Sequence, residues 1–202
     1  PNHPTRPEFL RTDLQRNFAD ADRPNDATDR PTAEINPMFG HGTGTIGILA
    51  GNVFDGAKLG GAPNLEVVPI RVANWVVLFR NSAIAKALDY VYGLWSNPAT
   101  RVHVVTMSMG GVASGAWADA VNALYDRGVF VVTAAGNNFG NLPTRYIVYP
   151  ARFRRVVAAC GAMADGRPYA DLPIRKMAGC YGPDSKQATA VAAYTPNIPW
   201  AK

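Results

Sequence analysis

The chain has 202 residues, of which 48% are hydrophobic and 17% charged, and its formal net charge is +5. This length supports one ordinary core, so we expect a single domain over residues 1-202. The excess of basic residues does not predict nucleic-acid binding, because Lys and Arg are scattered and form no run with interleaved aromatic residues. No apolar run reaches the roughly 18 residues that cross a bilayer, so we expect no membrane partner either.

Residues 1-40 are expected to form an irregular lead-in to a core at 41-202, because prolines recur there and aspartates mark turns. The prolines are Pro1, Pro4, Pro7, Pro24, Pro31 and Pro37. Acidic loops of this kind can bind calcium through carboxylate and carbonyl oxygens, but the EF-hand spacing is absent and solvated turns are the simpler interpretation. His3 is expected to be a solvated surface side chain.

A short buried helix is predicted from Gly42 to Ala50, where small and β-branched residues alternate with larger apolar ones and Gly51 provides the end. His41 stands at the mouth of this helix and is a candidate general base. A turn is expected at 60-64, followed by a strand from Leu65 to Val72.

Two helices alternate with three further strands in the rest of the chain. Apolar residues at helical spacing predict a helix from Ser82 to Trp95 with Ser82 as its N-cap. The run from Val102 to Met109 is apolar enough for a strand buried on both faces, and His103 within it is expected to be a packed or edge histidine rather than a ligand. The remaining predicted elements are a helix near 117-125 and strands at 129-135 and 156-162.

This alternation predicts an α/β fold with a mostly parallel central sheet and helices on both faces. Functional groups in such sheets gather where the carboxyl ends of the strands meet loops. Two strand ends carry only small or flexible residues, namely Ser108-Met109-Gly110-Gly111 and Ala134-Ala135-Gly136-Asn137. Open backbone at those ends could pair with an extended peptide, and small side chains would leave a pocket between the two segments.

The sequence around Asn137 has two interpretations. The side-chain amide of Asn137 could donate to an oxygen that becomes negative in a tetrahedral intermediate, or the residue could simply make a turn after the strand. Cys160 and Cys180 also leave two alternatives open, a disulfide or two buried thiols.

These motifs together resemble the subtilisin-like serine proteases. His41-Gly42-Thr43 with Gly47 and Ala50-Gly51 resembles the histidine motif of that family. The segment Ser108 to Gly111 is similar to its substrate-binding strand, and Ala134 to Asn137 is similar to its oxyanion-hole motif. Further similar segments are Gly61-Ala62-Pro63-Asn64, Pro69-Ile70-Arg71-Val72 and Tyr149-Pro150-Ala151-Arg152, and all occur in the order and spacing of the family.

The resemblance implies a serine endopeptidase that hydrolyses peptide bonds of peptide or protein substrates by a Ser-His-Asp mechanism. His41 would be the general base, and Asn137 would donate to the oxyanion. Ser108, Met109 and Gly110 would form one wall of the first specificity pocket, and Ala134, Ala135 and Gly136 the other, with Gly111 continuing the substrate-binding strand. That pocket is expected to be open and apolar.

The other two members of the triad have no motif in this sequence. The family nucleophile lies in a Gly-Thr-Ser motif, which we expect just beyond Lys202, and the family aspartate is expected before Pro1, because His3-Pro4 resembles the pair that follows it. Asp13 is the nearest candidate aspartate within the chain, but it lacks the glycine that the family motif requires after the aspartate. The chain therefore resembles an incomplete subtilase catalytic domain, truncated at both ends and inactive alone.

Three explanations of this composition remain open: a piece of a longer enzyme, one chain of a nicked enzyme whose second chain or segment supplies Asp and Ser, or a non-catalytic relative that binds peptides in the groove. A nucleotide-binding doubly wound domain is disfavoured, because no Gly-rich phosphate loop joins a first strand to a helix. The family chemistry requires no cofactor, calcium is possible as a structural ion with no ligand set assigned, and the resemblance implies a secreted protein.

Overall fold

The computed structural model describes residues 3-31, 38-78, 81-139, 146-171 and 177-195. They divide into two compact units, a first unit up to Trp75 and a second unit from Val76 onwards. The division thus falls after Trp75, and not between the expected lead-in and core at residue 40. The single-domain organisation of residues 1-202 stays a prediction.

The first unit is largely irregular, with one α-helix and short strands. Its elements are a 3-10 helix Thr12–Leu14, β1 Arg16–Asn17, α1 His41–Ala50, β2 Val53–Phe54, β3 Ala57–Lys58 and β4 Ile70–Arg71. β1 pairs in parallel with β4, and β2 with β3 in an antiparallel hairpin. The strand expected over 65-72 is therefore only Ile70–Arg71, extended by a single bridge at Val67, because Pro69 has no N–H to donate to a ladder.

His3 also differs from expectation, because it is half-buried rather than solvated. Its Nδ1 lies 2.8 Å from Oγ1 of Thr5, a residue that is almost fully buried. Local hydrogen bonding holds this histidine in place despite its proline neighbours.

The second unit has an α/β architecture. Its elements are β5 Val77–Leu78, α2 Ser82–Trp95, β6 Val104–Met107, β7 Gly110–Gly111, α3 Gly115–Asp126, β8 Phe130–Ala134, β9 Asn137–Phe139, β10 Val157–Ala162, β11 Ala170–Asp171, β12 Met177–Gly179, a 3-10 helix Asp184–Thr189 and β13 Ala190–Tyr194. The main sheet has the order β13-β10-β8-β6, and every pair in it is parallel. The predicted α/β fold with a parallel sheet is confirmed.

The two helices of this unit follow the predicted periodicity. α2 buries Ile84, Ala87, Leu88 and Val91, which lie on one face of a helix. Ser82 is the first helical residue and not the N-cap, which is Asn81, so that expectation is wrong. α3 begins two residues earlier than expected.

The main sheet is buried on one face. On β8, Val131 and Thr133 are buried, and the buried side chains of α3, which packs against β8, include Trp117, Val121 and Leu124. On the other face Val104 and Phe130 are register partners, and both are about half exposed. β6, at the edge of this sheet, is therefore not buried on both faces as expected. His103 is exposed beside that edge, as expected.

Within the described ranges, no helix has the length and apolar character needed to cross a membrane.

Candidate active site

His41 is the first residue of α1, one residue before the predicted start, and its side chain is half-buried. Gly40 precedes it in the left-handed region, with φ at 83°, which favours glycine. The Gly40 N–H donates to Oδ2 of Asp29 at 2.9 Å, so a carboxylate lies at the positive end of the helix. The aspartates of residues 1-40 are expected from the sequence only to mark turns, and spacing does not reveal this contact of Asp29 with Gly40.

Small residues allow α1 to lie close to its neighbours in the first unit. Gly44, Gly47 and Ala50 are buried, and a Cβ on Gly47 would lie 3.5 Å from Oγ1 of Thr5. At the other end, the N–H groups of Gly61 and Ala62 donate to the carbonyls of Ile48 and Leu49. The turn expected at 60-64 thus satisfies carbonyls in the last turn of the helix that carries His41.

The two predicted site segments of the second unit follow neighbouring strands. Ser108 comes directly after β6 and is exposed, and Ala135 comes directly after β8. Because β6 and β8 are parallel neighbours, their carboxyl ends lie at the same edge of the sheet.

Val148 brings these segments together. A Cβ on Gly110 would overlap the Val148 side chain, and a Cβ on Gly136 would lie 2.8 Å from its Cγ2. Gly136 also has a φ of 94°, which strains any other residue. Both positions therefore require glycine, because the side chain of Val148 lies too close for a Cβ. No sequence motif indicates this role of Val148.

The backbone of Gly110 and Gly111 is not open as expected. The Gly110 N–H donates to the Val76 carbonyl at 2.9 Å, and the Gly111 N–H to the Tyr149 carbonyl at 2.8 Å. β5 pairs in parallel with these two glycines. An added peptide strand would have to use Ser108 and Met109, or displace β5.

Asn137 is exposed and begins β9, where it pairs with Gly179 of β12. It therefore starts a strand, and does not make the turn that was the alternative interpretation. The residues before it are fixed on both sides, because Ala135 N–H donates to the Ala159 carbonyl and Cys180 N–H to the Gly136 carbonyl, both at 2.8 Å. A hydrogen-bonded backbone next to the exposed side chain of Asn137 is favourable for a hydrogen-bond donor that is positioned before the reaction.

Cys160 and Cys180 are not joined in a disulfide, and of the two thiols Cys180 is buried and Cys160 partly buried. Burial raises the pKa of both, and Cys160 raises the pKa of Cys180 further. Among the described residues, no three His, Cys, Asp or Glu side chains gather in a way that could hold a metal ion.

A model of the subtilase family matches residues 1-201. The chain is 34% identical over 120 residues to subtilisin DY of Bacillus licheniformis, covering 59% of this chain and 42% of that protein. It is 36% identical over 108 residues to the extracellular serine proteinase of a Thermus species, covering 54% and 24%. It is also 28% identical over 135 residues to the major intracellular serine protease of Bacillus subtilis, covering 61% and 38%.

Among solved structures, the prenylagaramide maturation protease PagA is similar in fold, with a TM-score of 0.62 and 20% identity over 81% of this chain and 54% of that one. The chain spans less than half the length of the curated relatives given above. The match of the family model across nearly the whole length of the chain shows that this chain belongs to the subtilase family.

Proposed function

We propose that the protein carrying this chain is a serine endopeptidase of the subtilisin type, with His41 as general base and Asn137 as oxyanion donor. The observation that carries this proposal is the position of Asn137, exposed directly after a positive-φ glycine whose carbonyl is fixed by Cys180 N–H. A fixed backbone beside the donor lowers the reorganisation needed when charge develops on a substrate oxygen.

In this mechanism a serine hydroxyl attacks the scissile carbonyl while His41 accepts its proton, and the imidazolium then gives that proton to the leaving amine. The Asn137 amide donates an N–H to the oxyanion of the tetrahedral intermediate. An aspartate holds the imidazole in the productive tautomer. We assign the serine and the aspartate to a further segment or a second chain, because the motifs that carry them do not occur in this sequence.

The substrate would be a peptide or protein. The side chain of the residue before its scissile bond would enter between Ser108–Gly110 and Ala134–Gly136. Small side chains on both segments, with the apolar side chain of Val148 against both glycines, favour an apolar pocket. Since Gly110 and Gly111 already use their N–H groups, we assign backbone pairing with the peptide to Ser108 and Met109. We also propose secretion, on the strength of the extracellular relative, with the intracellular one as the competing precedent.

The test of this function is peptide hydrolysis by the protein that carries this chain, comparing His41→Ala with His103→Ala. His41→Ala is expected to lower kcat by about 10⁴- to 10⁶-fold with little change in peptide affinity, because the base acts in the transition state. His103→Ala is the matched control, since that histidine is exposed beside the edge strand, and it should keep wild-type turnover.

A serine-directed fluorophosphonate gives a second readout on the same samples. The wild-type protein should be labelled on one serine, and His41→Ala should be labelled far more slowly. Normal turnover in His41→Ala would remove this residue from the mechanism. A folded wild-type protein that binds peptide but takes no label would instead support the non-catalytic, peptide-binding relative.

A further inference from the structure

Cys160 and Cys180 lie on neighbouring segments of the second unit. Cys160 is in β10, and Cys180 directly follows Gly179 at the end of β12. A Cβ on Gly179 would lie 3.9 Å from the Gly161 amide nitrogen, and Tyr169 hydrogen-bonds to both glycines through its backbone. The chain neighbours of the two cysteines therefore approach each other closely.

The two thiols share one apolar cluster. Cys180 is only 2% exposed and packs with Ala135, Ile147, Ala151 and Ala158, and Cys160 packs against the same cluster. The negative charge of the Cys160 thiolate is felt at Cys180, where it raises the pKa. Burial raises the pKa of both groups, so the thiolate that takes part in exchange is the minor form of each at neutral pH and becomes more abundant as pH rises.

The two thiols differ in access. Cys160 is partly exposed and lines an open cavity of about 250 Å³ with Pro168, Tyr181, Gln187 and Val191. Cys180 is buried and is not among the residues that line this cavity. Cys160 is therefore the member of the pair that borders the open cavity, while Cys180 lies away from it.

The buried cysteine is linked directly to the segment before Asn137. Its N–H donates to the Gly136 carbonyl, and its neighbour Gly179 is the register partner of Asn137. Any restraint on Cys180 is therefore passed on to the backbone that positions this asparagine.

We propose that Cys160 and Cys180 form a reversible dithiol–disulfide pair, which a small-molecule disulfide oxidises through the cavity and which fixes the backbone beside Gly136 and Asn137. The Cys160 thiolate attacks one sulfur of the oxidant, giving a mixed disulfide and one small thiolate. The Cys180 thiolate then attacks the Cys160 sulfur and expels the second small thiolate. The two protons lost by the cysteines end on the two small thiols, so the oxidant is reduced as the pair is oxidised.

The proposal is tested on the full chain, reduced, freed of reductant and treated with oxidised glutathione. Free thiols are then alkylated, and the products are identified by intact mass and peptide mapping. The wild type is expected to lose both alkylation sites and to yield one peptide cross-linked between Cys160 and Cys180. Cys180→Ala should stop at a glutathione adduct on Cys160, and Cys160→Ala should leave Cys180 unmodified and still open to alkylation after unfolding.

Hydrogen exchange provides the readout for the backbone effect. In the oxidised wild type, the Cys180 amide is expected to exchange about tenfold or more slowly than in the reduced form, because a cross-link opposes local opening. Circular dichroism of both alanine variants before oxidation checks that they are folded. Neither measurement depends on peptidase activity, so the result is separate from the proposed function.

Three results would overturn the proposal. One is a wild-type protein that accumulates only the mixed disulfide on Cys160, and another is a protein that keeps both thiols free under conditions that oxidise a control dithiol peptide. The third is equal exchange of the Cys180 amide in the oxidised and reduced forms, which would remove the link to Gly136.

Discussion

Lys186 is a buried charged side chain, with only 4% of its surface exposed. Its ammonium donates to the carbonyls of Phe153 and Val156, the first at 2.6 Å. Both carbonyls belong to the segment between Pro150 and β10. In the same segment, the ring of Phe153 packs edge-on against the ring of Trp117. Burial lowers the pKa of Lys186, because it disfavours the charged form.

Replacing Lys186 by Met is expected to destabilise the protein by about 1–3 kcal/mol, since two carbonyls lose a charged donor. The pKa also predicts the pH dependence. Below the lowered pKa the ammonium is charged in both the folded and the unfolded state, and the folded state carries the cost of its desolvation. As pH rises towards the usual value of 10.5, the unfolded chain binds more protons than the folded one. The wild type therefore gains stability relative to Lys186→Met as pH rises through that window.

Denaturant unfolding at neutral and alkaline pH measures this difference. Lys86→Met is the matched control, because Lys86 is exposed on α2 and its replacement should change neither stability nor pH slope. If the free energy of unfolding changed equally with pH in the wild type and in Lys186→Met, the burial of this ammonium would not be coupled to folding.

At the level of elements, α3 depends on a cap that precedes it. The Ser114 hydroxyl accepts a hydrogen bond from the Trp117 N–H at 3.3 Å, and Trp117 is completely buried. Ser114→Ala is expected to cost about 0.5–2 kcal/mol, because it removes an acceptor from the start of the helix.

Ser82→Ala is the control for that prediction, since Ser82 lies inside the first turn of α2 and is not its N-cap. Its replacement should stay within about 0.5 kcal/mol of wild type. Thermal unfolding of both variants gives the comparison. Equal effects of the two substitutions would contradict the assignment of Ser114 as the cap.

The sequence predicts α2 well because its apolar residues recur at helical spacing and all pack on one side. It predicts β8 and β10 because each is a continuous apolar run next to glycine or a turn. Short strands such as β5 and β9 carry no period long enough to detect, and they exist only because a distant segment pairs with them.

The same reasoning explains what could be predicted of the candidate site. His41 and Asn137 stand in local motifs, so their order in the chain suffices to propose a role. Val148 and Asp29 act through contacts with distant residues, Gly110 and Gly136 in one case and Gly40 in the other. No local pattern marks such residues, because their importance arises only when the chain has folded.

At the scale of the whole molecule, the first unit carries His41 and the second carries the pocket segments and Asn137. The proposed mechanism assigns the base to His41 and the oxyanion donor to Asn137, with a serine and an aspartate from a further segment or chain.

The most direct test of this mechanism is the kinetic effect of Asn137→Ala in the protein that carries this chain. In a subtilisin, loss of the oxyanion donor lowers kcat by about 10²- to 10³-fold, and we take that value as the expected size here. KM should change little, since the donor acts on charge that develops only in the transition state. Asn122→Ala, at an exposed position of α3, is the matched control and should keep wild-type kinetics. Wild-type kcat in Asn137→Ala, or a loss confined to KM, would contradict the assignment of this residue as the oxyanion donor.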